Sequence, residues 1–388
     1  MLKELDVAII GGGLTGLSIA YNLSKRGVND VAVFERERVG YGASSRNAGG
    51  IRAQFSSADH IELARDSREM WSRLSRELGF NIIFVRQGYL FLASNEEEEA
   101  FLKENVKTQN SLGVNSRYIG PDRIREIVPQ LNTEKIIGGS YDPDDGSAHP
   151  FAAIWAYSRA AQKNGVKIFE HTEVKGVTSR SGRAHSIVTE RGETMARVIV
   201  NAAGAYSHVI ARSVGVHLPL SVIRREILVT EPLRHFLKPL VIHMSSGFIA
   251  RQTLRGEVIS STRMEDEPES FSIKSSLRFI KKYARDALTV FPQFRYIKIM
   301  RQWAGNYDVT PDGSPILGEV EEVEGFIQAN GFSGHGFMLT PIVGELIADA
   351  IITGKTPKLI EPFKLIRFKT GKLIVEKTVA GKRIAHST

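Results

Sequence analysis

The chain has 388 residues, 42% hydrophobic and 24% charged, which excludes a fibrous repeat or a disordered chain and exceeds the size that one core usually serves. It contains no cysteine, which removes disulfides, thiolate nucleophiles and zinc-thiolate sites and suits a hot environment. The net charge of +8 is uneven, with +5 of it in residues 361–388, so a nucleic-acid partner is not expected.

Residues 5–10, LDVAII, form a continuous apolar run, the pattern of a strand buried on both faces of a parallel sheet. No apolar run approaches the roughly 20 residues that span a bilayer, and with this strand so near Met1 the expected location is the cytoplasm. Glycines follow the strand, and residues 14–26 carry Leu17, Ala20, Tyr21 and Leu23 at helical spacing, closed by Gly27. VAVFE at 31–35 completes a β-α-β unit. The stretch GYGASSRNAGGIR at 40–52 is too small in its side chains to pack a core, and 58–78 has the pattern of a long amphipathic helix. From 80 to 140 short strands and helices alternate, with GYLFLAS at 88–94 the clearest strand and Asn95-Glu96-Glu97-Glu98-Glu99 opening a helix with acids at its positive end. A helix at 150–164, entered through His149, precedes strands near 166–179, 184–189 and 194–200. Several strands fill 218–262, a helix 273–288, and strands 296–304 and 325–331. The last helix, 337–352, has an apolar face.

This order predicts an α/β fold. A Rossmann-type dinucleotide domain, assembled from 1–80, 145–215 and 305–360, interleaves with an α+β substrate domain on a largely antiparallel sheet, from 81–144 and 216–304. Residues 361–388 are expected to form a solvated basic tail, whose charge suits an acidic partner protein or an anionic membrane surface as well as RNA.

In AIIGGGLTG, Gly11 permits a tight turn, Gly13 lets backbone approach a pyrophosphate and Gly16 lets the helix pack on the strand, with Leu14 and Thr15 in the same turn. Glu35, followed by Arg36, lies 24 residues after Gly11, where a carboxylate accepts hydrogen bonds from a ribose. These features serve NAD or FAD alike. Two further stretches select FAD. Ser44, Ser45, Arg46, Asn47, Ala48, Gly49, Gly50 and Ile51 form a small-residue run able to pass close to a large flat ligand. Gly331, Ser333, Gly334, His335, Gly336, Phe337 and Met338 form a loop at a helix N-terminus, where free N–H groups and the helix dipole suit the negative charge of a reduced flavin.

With VNAAGAYS at 200–207 and WAGNYDVTPDGSPILG at 303–318, these motifs resemble the flavoprotein family of D-amino-acid oxidase, glycine oxidase, monomeric sarcosine oxidase, and the β subunits of sarcosine oxidase and archaeal dye-linked L-proline dehydrogenase. The resemblance implies FAD across the first domain, with Val174 on the adenine and Ala203 and Gly204 along the pyrophosphate. It implies non-covalent FAD, since cysteine is absent and SSRNAGG has no histidine. It makes Arg52 the candidate carboxylate clamp, because the family's other basic positions fall at Tyr307 and Met338. Tyr307, Gln252 and Met338 are expected to shape the pocket, with His335 beside the flavin. Oxidase members place a lysine above the flavin, whereas the aligned strand, GFIARQTLRGEV at 247–258, has none.

The expected activity is oxidation of the C–N bond of a secondary amino acid, proline or sarcosine, with electrons passed to a dye, a quinone or a partner subunit. The chain is then one subunit of a hetero-oligomer or a homo-oligomer, with peripheral membrane contact as one route to its acceptor. Alternatives are an oxygen-using oxidase of glycine or D-amino acids, a flavin-dependent enzyme acting on an aminomethyl uridine of tRNA, and a subunit that keeps FAD as a fold element.

Overall fold

The computed structural model describes residues 4–378. Its first sheet is built on Leu5–Ile10, which pairs in parallel with Val31–Phe34 on one side and Gly192–Asn201 on the other. Lys167–Phe169 and Phe326–Asn330 extend the parallel array outward on either side. An antiparallel meander, Val174–Arg180 and Arg183–Thr189, grows from the start of Gly192–Asn201, and Ile316–Glu319 pairs antiparallel with Phe326–Asn330. The apolar run of the first strand has the expected cause: Val7 and Ile9 face one core and Leu5, Ala8 and Ile10 face another.

Helices Leu14–Lys25, Ala58–Glu77, Pro150–Lys163 and Gly336–Thr353 supply side chains to the first of those cores. The 18-residue helix Gly336–Thr353 corrects the reading that no segment is apolar enough to cross a membrane, since by length and composition it is. Here it is mostly buried among the other helices. Its approach to Leu14–Lys25 requires Gly344, where a Cβ would lie 2.0 Å from Ser18 Oγ.

The second sheet has eight strands. From one edge they are Ile299–Val309, Ser221–Pro232, Glu257–Ser261, Phe248–Gln252, Leu240–His243, Tyr89–Ala93, Gly138–Asp142 and Arg117–Ile119. All neighbours are antiparallel except Leu240–His243 with Tyr89–Ala93. Helix Leu277–Val290 buries Phe279, Tyr283, Ala287 and Val290 against Leu90, Phe248, Ala250 and Val258 on one face of this sheet. Side chains on its opposite face meet the glycine-rich turns of the first sheet.

Residues 361–378 are not a solvated tail. Arg367 is buried and pairs bidentately with Asp312 (Nε–Oδ2 2.7 Å, Nη2–Oδ1 3.0 Å), and Phe363, Leu365 and Ile374 enter the core. Glu376 is fully buried and accepts from the backbone N–H groups of Ser56 (3.0 Å), Ser57 (3.1 Å) and Thr378 (2.8 Å). The segment is a strap across the first domain. The remainder of the predicted tail, 379–388, lies outside the described residues.

Candidate active site

A cavity of about 740 Å³ opens between the two sheets, and two helix N-termini face it. The first belongs to Leu14–Lys25. Gly11, with φ +108°, makes the turn before it, and a Cβ there would lie 2.4 Å from Ala202 O. Gly13, Leu14 and Thr15 line the cavity, and Ser44 Oγ accepts from the Leu14 N–H at 2.9 Å, pinning the small-residue loop over the turn. Gly16 stands back from the cavity; its Cβ would meet Gly11 O at 2.1 Å, so its role is the fit of helix to strand. Glu35 accepts the N–H of Gly12 on Oε2 and of Glu37 on Oε1, both at 2.8 Å, which fixes its carboxylate at the end of the second strand. Burial pushes its pKa up. Val174, Ala203 and Gly204 form the facing wall, and Arg36 lies 4.0 Å over the Tyr206 ring, which stacks at 4.4 Å on Phe271.

The second N-terminus is that of Gly336–Thr353, which no side chain caps. Gly334, Gly336 and Phe337 line the cavity there, beside Arg46, Asn47 and Ala48 of the small-residue loop. Arg46 is held by the carbonyls of Tyr41 (2.9 Å) and Ala304 (3.2 Å). Two helix N-termini, a turn with no room for a side chain and a carboxylate acceptor, all on one elongated cavity, fit a dinucleotide lying between them.

Beyond Arg46 the cavity is walled by the second sheet: Arg225 and Ile227, Ile249, Ser260 to Arg263, and Gly305 to Asp308. The register makes Tyr307 the partner of Ile223 and Gly305 the partner of Arg225. Arg225 and Tyr307 are therefore diagonal neighbours on one face, with no side chain on Gly305 between them. The Arg225 guanidinium lies 5.7 Å from the Tyr307 ring centre. Burial lowers the Arg225 pKa and raises that of the Tyr307 hydroxyl.

Other predicted residues lie elsewhere. Gly50 and Ile51 form a short strand paired with Ser147 and Gly146, and a Cβ on Gly49 would meet Ala148 O at 2.2 Å. Ser45 belongs to a short 3-10 turn and does not line the cavity. Gly331 and Ser333 shape the loop from behind: Gly331 N–H donates to Asp308 Oδ2 at 2.7 Å, and Ser333 Oγ accepts from Thr310 N–H at 3.2 Å. Met338 is buried below the first turn, its carbonyl accepting from Trp71 Nε1 (2.9 Å) and Ser67 Oγ (2.6 Å).

Gln252 corrects the pocket expectation. Its Oε1 accepts from the N–H groups of Phe236 and Leu237, and its Nε2 donates to Gly256 O, so it braces a loop of the second domain. Arg52 differs as well. Its guanidinium is buried on the Phe55 ring (4.0 Å), donates to Gln54 O and to Thr378 Oγ1 at 3.0 Å, and does not line the cavity. Protein acceptors and the nearby Glu376 and Asp145 carboxylates engage its charge. His335 shares this network, with Nε2 3.3 Å from Arg52 Nη2. Burial, then Arg52 and His60, lower its pKa well below the ordinary value, so its imidazole is neutral near pH 7.

Fold and site together define a dinucleotide-binding oxidoreductase. A family model described as FAD dependent oxidoreductase (DAO) matches residues 6–350, and the chain belongs to this family of FAD enzymes. The sarcosine oxidase subunit beta of Rhodobacter capsulatus is 30% identical over 99% of this chain and 93% of its own length. The glycine oxidase of Geobacillus kaustophilus is 31% identical over 97% of this chain and its full length. The crystal structure of L-proline dehydrogenase from P. horikoshii superposes with a TM-score of 0.91 at 33% identity, covering 96% of this chain and all of that one.

Proposed function

We propose that the protein is a dehydrogenase that oxidises the C–N bond of a secondary amino acid, proline or sarcosine, and delivers the electrons to an acceptor other than oxygen. The observation that carries this reading is the sheet-side end of the cavity, where Arg225 and Tyr307 form a cationic, hydrogen-bonding corner beside Ile227 and Ile249 and where, among the described residues, no lysine lines the wall. Among the described residues the one lining lysine is Lys175, beside Val174 at the other end and next to Glu173. Held by the turn at Gly11–Gly13, Glu35 and the N-terminus of Gly336–Thr353, FAD would supply the electron sink for oxidation at the carbon next to the amine nitrogen.

The chain's own side chains bind and orient. Arg225 receives the substrate carboxylate as a guanidinium fork, and the Tyr307 hydroxyl donates to the same carboxylate. Ile227 and Ile249 exclude water from the face where the C–H bond must point, which leaves orientation as the protein's main contribution. His335, neutral and turned away from the cavity, relays no proton. The names of the relatives support a partner subunit as the destination of the electrons.

Dye reduction and peroxide formation by the FAD-loaded enzyme, measured side by side with L-proline, sarcosine, glycine and D-alanine, test this reading. Dye-linked turnover on L-proline or sarcosine with little peroxide supports it. Peroxide in step with turnover on glycine or D-alanine selects the oxygen-using oxidase instead, the reading favoured by the glycine oxidase relative.

A further inference from the structure

Residues 277–301 carry seven Lys or Arg and one acid, Asp286, so the positive charge of this protein is not a property of its C-terminal segment alone. The stretch comprises helix Leu277–Val290, a short 3-10 turn Pro292–Tyr296 and the exposed start of strand Ile299–Val309. The helix buries Phe279, Tyr283, Ala287 and Val290, which turns Leu277, Lys281, Arg285 and Leu288 outward. The chain then doubles back. The 3-10 turn packs on the helix's C-terminal end through Phe291 and Phe294, whose rings stack at 5.0 Å, while Gln302 Nε2 donates to Ser276 O at the helix's N-terminal end. Residues 296–301 therefore run beside the helix from one end to the other.

The resulting strip is basic and studded with protruding apolar side chains: Leu277 is 77% exposed, Tyr296 80% and Met300 65%. Among the described residues, Lys281, Arg285, Arg295, Lys298 and Arg301 form no ion pair, while Arg278 meets Asp266 and Lys282 meets Asp286. Glu231, at the border, accepts from the Lys298 N–H. Isolated apolar tips ringed by unpaired lysine and arginine suit a headgroup region, where the tips enter the acyl boundary and the cations meet phosphates. A second copy of the chain would bring like charge to like charge. A tight protein interface would favour a flat, lysine-poor patch.

We infer that this strip docks the protein on an anionic lipid surface. Docked so, the cavity stands close to the bilayer: Gly305, which lines it, is five residues along the strand from Met300, about 17 Å.

The test is flotation of the FAD-loaded protein with phosphatidylcholine vesicles, with and without phosphatidylserine, and separately its binding to poly-L-glutamate. Binding is expected only to vesicles containing phosphatidylserine, and should weaken as salt rises. K281E/R285E/K298E should lower the partition coefficient by about a hundredfold or more, and L277S/Y296S/M300S by about tenfold or more. Dye-linked turnover and melting temperature report whether both variants are folded, since none of these residues lines the cavity. No vesicle binding by the wild type, or equal binding by a folded charge-reversed variant, overturns the inference. Binding to poly-L-glutamate but to neither vesicle overturns it in favour of an acidic protein partner.

Discussion

Glu376→Gln is the sharpest perturbation of the C-terminal strap. The carboxylate is fully buried and accepts from Ser56 N–H and Oγ, Ser57 N–H, and Thr378 N–H and Oγ1, with His60 Nδ1 at 4.0 Å. Donors reach both oxygens, so whichever way a glutamine side chain turns, its NH₂ meets at least one buried N–H. An orphaned buried donor costs about 1–3 kcal/mol. Arg52, which lies near Glu376 without an ion pair to it, loses part of its electrostatic support as well. At about 2.1 cal/mol/K per residue, a chain of this length loses roughly 1 °C of melting temperature per kcal/mol, so the expected drop is at least about 1–3 °C.

The pH dependence supplies a second check. Burial pushes the Glu376 carboxyl up, but His60, the Thr378 hydroxyl and Arg52 outweigh it and hold it below the ordinary 4.5. A carboxylate with a depressed folded pKa contributes stability above its unfolded pKa and loses it as pH falls through the folded one. The gap between wild type and variant, read by calorimetry of the FAD-loaded protein, should be largest above pH 4.5 and close on acidification. An unchanged melting temperature at pH 7, or a gap that widens in acid, refutes the description of the strap as a buried, charge-bearing part of the fold.

Gly11→Ala should abolish FAD retention, read as loss of flavin absorbance after gel filtration, because the added Cβ would stand 2.4 Å from Ala202 O. Arg225→Met should raise KM for proline or sarcosine about 30-fold or more, the cost of removing one partner of a buried charge pair, and should barely change the flavin spectrum. His335→Gln should leave the shape of the pH–rate profile unaltered between pH 6.5 and 8, because burial and Arg52 already keep the native imidazole neutral there. In wild-type stability the low His60 pKa, about 4, appears as a loss on acidification from pH 6.5 to 4, where the unfolded chain takes up a proton that the folded one refuses.

The nucleotide half of the site was legible because its signals are local. A glycine turn between an apolar strand and a helix, and a glutamate closing the next strand, are fixed by a few neighbouring residues. The substrate half depends on which face each strand turns inward. Along Phe248–Gln252 the cavity is lined by Ile249, while Phe248 and Ala250 enter the core behind the sheet, and Gln252 follows them there. A displacement of one residue separates a pocket side chain from a loop brace. Arg225 was passed over for the converse reason, since Arg224-Arg225 reads as two surface charges until the pairing of Ser221–Pro232 with Ile299–Val309 sets Arg225 opposite Gly305. The strap was hidden by its own net charge: counting lysines in 361–388 says nothing of Arg367 meeting Asp312 across 55 residues, or Glu376 meeting Ser56 across 320.

Anaerobic titration of the FAD-loaded protein with L-proline, D-proline, sarcosine and glycine, followed at the flavin absorbance band, tests the central claim most directly. Rapid bleaching by L-proline or sarcosine, with colour returning quickly on adding a dye and slowly on admitting air, is the predicted result. A flavin that none of the four amino acids bleaches would contradict it.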